Sequence, residues 1–374
     1  MATEYRINMK RYNGTDYDIM YPRTLIEQVT NGQRQIVVDT VSLGTSWTGT
    51  GPYTQVVTIN GIESDSKIDI QPDADVINKL MESGTTALYI VNDSGVATAV
   101  ALGAAPTAAL EIQCTITKTA APPAPVISSV LNENNWNTIK WASKHNVGQN
   151  YWSVGDCKQI TMNGKVSDGL TLTNYTAWVF IIGFNHNAER EGDGITFQGF
   201  KVADKGTDVC LVDSGYYNNK TSGTWFNMNN TDTNSGGWQA SLMRKNVMPL
   251  IKAAFPAELQ AVIKPSTIFT APNTGNIALT STEDDVFLLA EYEVFGSKTF
   301  ASNQEPNYLK QYAYYSAGNS KVKYKHNDTS TAAFWWERSP TSPDSSYFCA
   351  VTDNGDANGR NANSSHGVSP CFKV

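Results

Sequence analysis

Histidine, cysteine and charged residues are scarce in this 374-residue sequence, and each shortage excludes a class of function. The four histidines do not form an HExxH zinc motif, and no two share a spacing typical of metal ligands. The sequence also lacks a GxSxG nucleophile turn and a phosphate-binding P-loop. We therefore predict no catalytic residue, no metal site and no cofactor.

Charge is low and acidic, which limits the partners that this chain can bind. Charged residues make up 17% of the sequence, and the net charge is −7. Because phosphate binding needs clustered lysine and arginine, we predict neither nucleic acid nor a membrane as partner. No apolar run approaches the roughly 18 residues of a membrane span, and the first residues lack the apolar core of a signal peptide. We expect release by lysis of a host rather than secretion.

The five cysteines are scattered at positions 114, 157, 210, 349 and 371, and none forms a CxxC pair. This scatter argues against a zinc site and against a disulfide framework. Cys349 and Cys371 lie in predicted strands on either side of a polar segment, so the two could be neighbours. A bridge between them and two buried free thiols both remain open.

The composition divides the chain into four segments. We predict an attachment or oligomerisation segment at residues 1–33, a β-sandwich at 34–118, a stiff Pro/Ala linker at 119–125 and a larger domain at 126–374. The second segment is rich in β-branched residues, as in "RQIVVDTVSL" and "YTQVVTINGI", and we expect it to be all-β. The linker reads "TAAPPAPV", from Thr119 to Val126.

The larger domain combines helical and strand-like patterns. Helices are predicted in "NNWNTIKWASKHN" and in "GGWQASLMRKNVMPLIKAAFPAELQAVI", the latter interrupted at Pro249 and Pro256. Strands are predicted in "WVFIIGFNHN" and "DVFLLAEYEVFG". The mixture predicts an α+β fold, with a few helices packed on an irregular antiparallel sheet.

The segment from Asp353 to Gly367 is polar, with one cation and no aliphatic side chain larger than alanine. Strand-like runs flank it, so we interpret it as a loop that a rigid frame displays for recognition. Asn354, Asp356 and Asn358 match the first half of an EF-hand loop. Position twelve of such a loop would be Ser365 instead of the glutamate that binds calcium, so the match fails.

The stretch "FWWERSP" is the most distinctive short pattern. Trp335 and Trp336 are adjacent in a predicted strand and should point to opposite faces. One is expected to fill the core and the other to line a surface depression. Arg338 is interpreted either as a ligand clamp or, preferably, as half of a buried structural ion pair.

Several motifs occur together in a specific order: "YWSVGDCKQI" with "IIGFNHN", then "GGWQASLMR", "DVFLLAEYEVFG", "AFWWERSP" and the closing G-V-S-P. Together they resemble an uncharacterised bacterial and phage domain family with a C-type-lectin-like fold. The N-terminal part, with "RYNGTDYDIMYPRT" and "GPYTQVVTINGI", resembles tail-fibre proteins of phages and prophages of Firmicutes. The same lectin-like fold is used by variable proteins of diversity-generating retroelements, in which mutation at adenines changes asparagine codons of a C-terminal segment.

The resemblance implies a role for individual residues. The expected scaffold consists of Trp335, Trp336, Arg338, Pro340, Gly367 and Pro370. The expected ligand-binding residues are Glu337, Thr341, Asp344, Ser345, Tyr347, Asn354, Asp356, Asn358, Arg360, Asn361, Asn363 and His366.

The resemblance also implies a function. We expect a receptor-binding adhesin of the virion, extracellular after host lysis, that binds a host cell-surface protein or glycan and assembles with other phage tail proteins. A homo-oligomer is expected, with a trimer as one form, and retroelement diversification as one source of loop variation. Two alternatives remain open: a virion-associated glycan hydrolase, and a structural decoration protein without a ligand.

Overall fold

The computed structural model describes residues 9–12, 17–20, 34–119, 124–275 and 277–374. The chain divides into two compact units, Met1–Pro123 and Ala124–Val374. The architecture is mixed α+β, as predicted, with more residues in strands than in helices. Most of the predicted attachment segment, and residues 120–123 of the predicted linker, lie outside the described residues. None of the described helices is long and apolar enough to cross a membrane.

The first unit contains a short hairpin and two three-stranded antiparallel sheets. The strands are β1 (Met9–Tyr12), β2 (Tyr17–Met20), β3 (Arg34–Leu43), β4 (Tyr53–Val57), β5 (Lys67–Gln71), β6 (Thr85–Asp93), β7 (Val96–Gly103) and β8 (Leu110–Thr119). The sheets have the orders β3-β8-β5 and β4-β7-β6. Alternate residues of β7 and β8, such as Ala97, Ala99, Ile112 and Ile116, point into one shared hydrophobic cluster.

The expectation that this unit is all-β was wrong, because it contains helix α1 (Ala74–Glu82). The side chain of Asp73 accepts a hydrogen bond from the Val76 N–H at 2.9 Å and so caps the helix. Val76 and Leu80, four residues apart, pack on the shared hydrophobic cluster. This spacing is the local signal for the helix.

The second unit is built around a five-stranded antiparallel sheet with the order β15-β21-β11-β10-β9. The strands of the unit are β9 (Cys157–Ser167), β10 (Leu170–Phe184), β11 (Ile195–Lys201), β12 (Val209–Cys210), β13 (Ser266–Thr270), β14 (Thr280–Asp284), β15 (Val286–Phe287), β16 (Lys323–Lys325), β17 (Asp328–Ala333), β18 (Trp335–Pro340), β19 (Tyr347–Val351), β20 (Ala357–Asn361) and β21 (Cys371–Lys373). Residues 179–182 of β10 are fully buried, which confirms the buried strand predicted there.

Short helices pack around this sheet. They are α2 (Trp136–Lys144), α3 (Ala188–Glu191), α4 (Gly237–Ala240), α5 (Met248–Ala254), α6 (Ala257–Gln260), α7 (Glu291–Phe295), α8 (Glu305–Tyr308) and α9 (Ala313–Ser316). Helix α2 confirms the first predicted helix, and Asn135 caps it by accepting a hydrogen bond from the Thr138 N–H at 2.8 Å. Pro256 separates α5 from α6 as expected. Pro249 causes no interruption because it lies in the first turn of α5, where its missing N–H is tolerated.

The strand predicted in "DVFLLAEYEVFG" was only partly correct. Val286 and Phe287 form β15, but the second half of the motif forms helix α7. The Glu293 carboxylate accepts a hydrogen bond from the Ala290 N–H at 2.9 Å and thereby satisfies a backbone donor at the start of the helix. Glu293, in the first turn of α7, therefore stabilises the start of a helix where the sequence pattern predicted that the strand would continue.

The polar segment from Asp353 to Gly367 is not one continuous loop, which differs from the interpretation of its sequence. Part of it forms β20, which pairs with β19 in a three-stranded sheet of order β18-β19-β20. The last strand, β21, belongs to the five-stranded sheet instead. Cys349 and Cys371 therefore lie in different sheets, and all five cysteines are free and buried.

We expect residues 124–374 to fold without the first unit. Each unit has a hydrophobic cluster of its own, at residues 41–116 and 131–374. The isolated second unit should be soluble, elute as a compact species in gel filtration and lose its circular dichroism signal in one cooperative thermal transition. Aggregation of this fragment, alongside a soluble full-length chain, would contradict the division into two units.

Candidate functional site

A buried ion pair anchors strand β18 to helix α7. Arg338 is fully buried, and two of its guanidinium nitrogens bind the Glu293 carboxylate, with Nη1–Oε2 at 2.6 Å and Nη2–Oε1 at 2.7 Å. The guanidinium also donates to the carbonyls of Leu288 at 2.8 Å and Phe269 at 3.2 Å. The structure thus places Arg338 in the structural ion pair that the sequence favoured, and not in a ligand clamp.

Two further buried acids, Glu291 and Glu305, connect this ion pair to the segment that follows β18. The Ser339 hydroxyl donates to Glu305 and accepts a hydrogen bond from the backbone N–H of Glu291 at 3.1 Å. The Glu291 carboxylate in turn accepts hydrogen bonds from three consecutive backbone N–H groups, at residues 299–301, with distances of 2.7–3.1 Å. The carbonyl of Phe300 then accepts a hydrogen bond from the Ser342 N–H at 2.6 Å. The segment after β18 is therefore tied to the buried acids.

Glu337, a predicted ligand-binding residue, lies in the core and not at the surface. Its side chain is fully buried in β18, and neither carboxylate oxygen has a hydrogen-bond partner among the described residues. Burial, together with the nearby acids Glu291 and Glu305, raises the pKa of Glu337 well above its ordinary value. Glu337 is therefore a core residue whose burial favours the protonated form.

Trp335 and Trp336 also differ from expectation, because neither lines a surface depression. Both rings are fully buried. The Nε1–H of Trp335 donates to the Lys321 carbonyl at 2.9 Å, and that of Trp336 donates to the Phe226 carbonyl at 2.8 Å. Strand β18 is covered on both faces, so both tryptophans belong to the core.

The remaining predicted scaffold residues are buried as well. A Cβ atom on Gly367 would meet the sulfur of Cys210 and lie 2.8 Å from the Phe334 carbonyl oxygen, so only glycine fits. Pro340 is paired with β19, and the carbonyl of Pro370 accepts a hydrogen bond from the Gly199 N–H at 2.9 Å. These residues hold the two ends of the polar C-terminal segment.

We call strand β18 and the buried residues that hold it the frame. Three polar segments lie side by side above this frame: residues 214–236, 341–347 and 352–366. Their backbones are joined by N–H···O bonds of 2.7–2.9 Å. The pairs, donor first, are Tyr217–Ser365, Lys220–Asn363, Asn229–Ala362, Asn234–Ser345 and Ala362–Ser346. We call the exposed and partly exposed side chains of these segments the polar loop surface.

Asn234 fixes the middle segment. Its side chain is buried and donates to the carbonyls of Asp344 and Tyr347, both at 2.8 Å. The amide oxygen accepts a hydrogen bond from the Thr274 hydroxyl at 2.9 Å. These hydrogen bonds hold the segment 341–347 in one conformation, because any other conformation would leave the buried amide of Asn234 without partners.

The predicted ligand-binding residues fall into three groups. Fully exposed side chains belong to Ser345, Asn354 and Asp356. Partly exposed side chains belong to Asp344, Tyr347, Asn358, Arg360, Asn361 and Asn363. Buried side chains belong to Glu337, Thr341 and His366, and for these three the prediction of a surface position was wrong.

Physical causes account for the two further buried positions. The Thr341 hydroxyl donates to the Asp344 carbonyl at 2.7 Å and thereby closes the bend after β18. His366 lies among aromatic rings, including Trp336 at 4.9 Å between centroids. Burial lowers the pKa of His366 to about 3, so its ring is neutral.

A pocket of about 280 Å³ opens on the polar loop surface. Its lining residues are Phe300, Thr341, Pro343, Asp344, Tyr347, Asn358 and Gly359. A Cβ atom on Gly359 would lie 3.0 Å from Thr341 Cγ2 and 3.2 Å from Tyr347 Cδ2, so a larger residue there would crowd the pocket. The pocket offers a carboxylate, a phenol ring and an amide to a small polar ligand.

Sequence reasoning missed the segment 214–236. It contributes the exposed Tyr217 and pairs with the C-terminal segment through several backbone bonds. Its composition, "SGYYNNKTSGTWFNMNN", has the same richness in Asn, Ser, Gly and Tyr that singled out the C-terminal segment. The composition of this segment could have identified it. Its partners, however, lie more than a hundred residues away in the sequence, and no local pattern indicates that pairing.

One group of described residues, His186, Glu191 and Glu293, has potential metal-ligand atoms within 4.8 Å of one another. The Glu293 carboxylate is already bound by Arg338 through both oxygens. Burial raises the pKa of Glu191 to about 8, and burial lowers the pKa of His186 to about 4. A cation beside the group and a carboxyl that keeps its proton do not fit a divalent metal, so we interpret the cluster as structural.

Residues 207–374 match a family model that is described as a domain of unknown function, DUF6273. The match covers less than half of the chain, but it includes β18 and all three segments of the polar loop surface. No curated protein matches the chain, and no solved structure does either.

The burial of Glu337 leads to a prediction about how the stability of the fold depends on pH. Its pKa is near the ordinary 4.5 in the unfolded chain and well above that in the folded chain, so folding takes up a proton at higher pH. Wild-type stability should therefore fall as the pH rises above about 4.5. Glu337→Gln cannot titrate, so its stability advantage should grow with pH by up to about 1.4 kcal/mol per pH unit.

Denaturant unfolding of both proteins between pH 4 and 8 measures this difference. Glu189→Gln, at an exposed position, is the matched control and should show no such trend. A Glu337→Gln variant that differs from wild type equally at all pH values would refute the protonated state.

Proposed function

We propose that residues 124–374 form a non-enzymatic recognition domain, and that the protein is a receptor-binding component of a phage tail. In this proposal the polar loop surface binds a host cell-surface protein or glycan. The virion location, the other tail proteins as partners and a homo-oligomeric form rest on the resemblance of the N-terminal motifs to tail-fibre proteins.

The observation that carries the binding proposal is the contrast between the frame and the side chains of the polar loop surface. Backbone bonds join the three segments, and buried acids hold the frame below. Side chains such as Asn354 and Ser345 nevertheless project into solvent. Ordering a free loop costs roughly 1–2 kcal/mol per residue, so a loop ordered in advance binds a partner with a smaller entropic cost.

We also propose a C-type-lectin-like fold for this unit and diversification of its C-terminal segment by a retroelement. The irregular antiparallel sheets with short helices agree with such a fold. Asn354, Asn358, Asn361 and Asn363 lie on the polar loop surface, so changes at these asparagines would alter recognition and leave the core intact.

The hydrolase alternative requires two carboxylates that face each other across a substrate. Several acids of the second unit have structural partners instead. Asp284 accepts hydrogen bonds from Trp238 Nε1 at 2.8 Å and from Arg244 Nε at 2.6 Å. Glu291 and Glu293 are fully buried and hold backbone N–H groups and Arg338. Because these acids are occupied by structural contacts, their arrangement favours recognition over hydrolysis.

A combined substitution tests the proposal. The positions to change to other polar residues are Ser345, Asn354, Asp356, Asn358, Asn361 and Asn363. Because their side chains are exposed or partly exposed, we expect each to change stability by no more than about 0.5 kcal/mol. Binding to a panel of Firmicutes cells, measured by flow cytometry with labelled full-length protein, should be lost, since a few side chains supply most interface energy.

The control variant carries polar substitutions at the exposed residues Lys140, Glu189 and Asp204, outside the polar loop surface. It should melt and bind like the parent. If the combined variant keeps the melting temperature and still binds every cell type that the parent binds, the polar loop surface is not the receptor site. If the combined variant unfolds, the side chains that were substituted belong to the core.

A further inference from the structure

Two cations of the polar loop surface, Arg360 and Lys220, and one cation of strand β16, Lys325, each lie over an aromatic ring. The pairs are Arg360 over Phe334 at 4.1 Å, Lys220 over Trp225 at 3.7 Å and Lys325 over Tyr216 at 4.8 Å. None of the three cations forms a salt bridge with a carboxylate of the described residues.

Tyr217 presents an exposed ring next to these cations. Its side chain is 54% exposed, and the ring centroid lies 5.9 Å from the Arg360 guanidinium carbon. Its φ of +70° is in the left-handed region, which bulky residues rarely occupy. The Tyr217 N–H donates to the Ser365 carbonyl at 2.7 Å, and this bond holds the unusual backbone conformation. Such strain is often found at binding sites.

The groups below the cations do not neutralise them. His366 is 2% exposed and neutral, and it packs edge-on against Tyr217 at 5.2 Å between centroids. Neither ring nitrogen of His366 has a hydrogen-bond partner among the described residues, and neither does the buried Nε of Arg360. The terminal guanidinium nitrogens also make no hydrogen bond within the described structure, so they are available for a ligand.

Gly359 and Arg360, which are adjacent in β20, have different neighbours. Gly359 faces Tyr347 and Thr341, whereas Arg360 contacts Phe334 and Tyr217. Arg360 is not among the residues that line the pocket, so it can be altered without changing the pocket lining. We call Tyr216, Tyr217, Lys220, Lys325 and Arg360 the aromatic–cation cluster.

We propose that the aromatic–cation cluster binds an anionic glycan. This inference rests on the proposed function, for which it names a ligand class. A guanidinium fork matches the two oxygens of a carboxylate or phosphate, and stacking on Phe334 holds that of Arg360 in a fixed plane. The exposed ring of Tyr217 offers an apolar face to a sugar ring. Lys220 and Lys325 supply charge for further acidic groups along a polymer.

Isothermal titration of the full chain at about 0.15 M salt tests this proposal, because that salt concentration screens weak long-range attraction. The probes are polygalacturonate, which carries carboxylates, poly(glycerol phosphate), which carries phosphates, and neutral dextran. We expect saturable binding to one of the two anionic polymers and none to dextran. The polymer that binds identifies the acidic group.

Variants then locate the binding site. Arg360→Gln should weaken binding at least about tenfold, because it removes a charge-assisted bidentate contact. Tyr217→Asn, which tolerates the left-handed backbone, should also weaken it, whereas Tyr217→Phe keeps the ring and should retain it. The matched control is Arg190→Gln, since Arg190 lies over Tyr308 at 5.2 Å, outside the cluster, and this change alters the net charge equally.

Saturable binding that only the Arg360 and Tyr217→Asn changes weaken would support the proposal. It would be overturned if neither anionic polymer binds, or if Arg360→Gln and Arg190→Gln bind like wild type. Cell binding separates the two hypotheses. Loss of cell binding through changes at Asp344 and Asn358, with full binding by the cluster variants, would leave the recognition function standing and refute the cluster. Glycan binding by the cluster, with cell binding unaffected by any change in the polar loop surface, would refute the function instead.

Discussion

The bidentate ion pair between Arg338 and Glu293 is the contact on which the C-terminal surface depends. It joins strand β18 to helix α7, and the neighbouring Ser339 connects the same strand to Glu291 and Glu305. Through the backbone N–H groups that Glu291 holds, the connection reaches Phe300 at the pocket. Breaking such a buried pair by removing one partner costs about 3–5 kcal/mol, because the other charge stays buried without compensation.

The acids around this ion pair outnumber the cations, and the fold compensates for the excess in two ways. Burial raises the pKa of Glu291, and hydrogen bonds from consecutive backbone N–H groups partly offset that rise. Burial raises the pKa of Glu305 to about 7 and that of Glu337 well above the ordinary value, which favours the neutral form of both carboxyl groups. The interior of the frame is thus polar, and the hydrogen bonds of Arg338, Ser339 and Glu291 favour a single arrangement of the segments above it.

Local sequence patterns predicted the elements whose cause is local. The apolar run of β10 and the capped, amphipathic α2 can both be read within a dozen residues. The burial of Arg338 beside aromatic residues was also predictable, but its partner, Glu293, lies 45 residues away and was not. The pairing of β20 with β19 inside a polar segment depends on a partner strand and not on its own composition. Glu337 and His366 were placed on the surface because polar residue types usually lie there, and only the packed neighbours show that both are buried.

The central claim is that the polar loop surface is a rigid frame with replaceable side chains, and native-state hydrogen exchange tests it most directly. The account predicts that the backbone amides of Tyr217, Lys220, Asn229, Asn234 and Ala362 exchange slowly, with protection comparable to that of amides in β10, because each donates to a carbonyl of a neighbouring segment. Exchange of these amides at the rate of an unstructured peptide would show that the segments are not held in place, and would contradict the account.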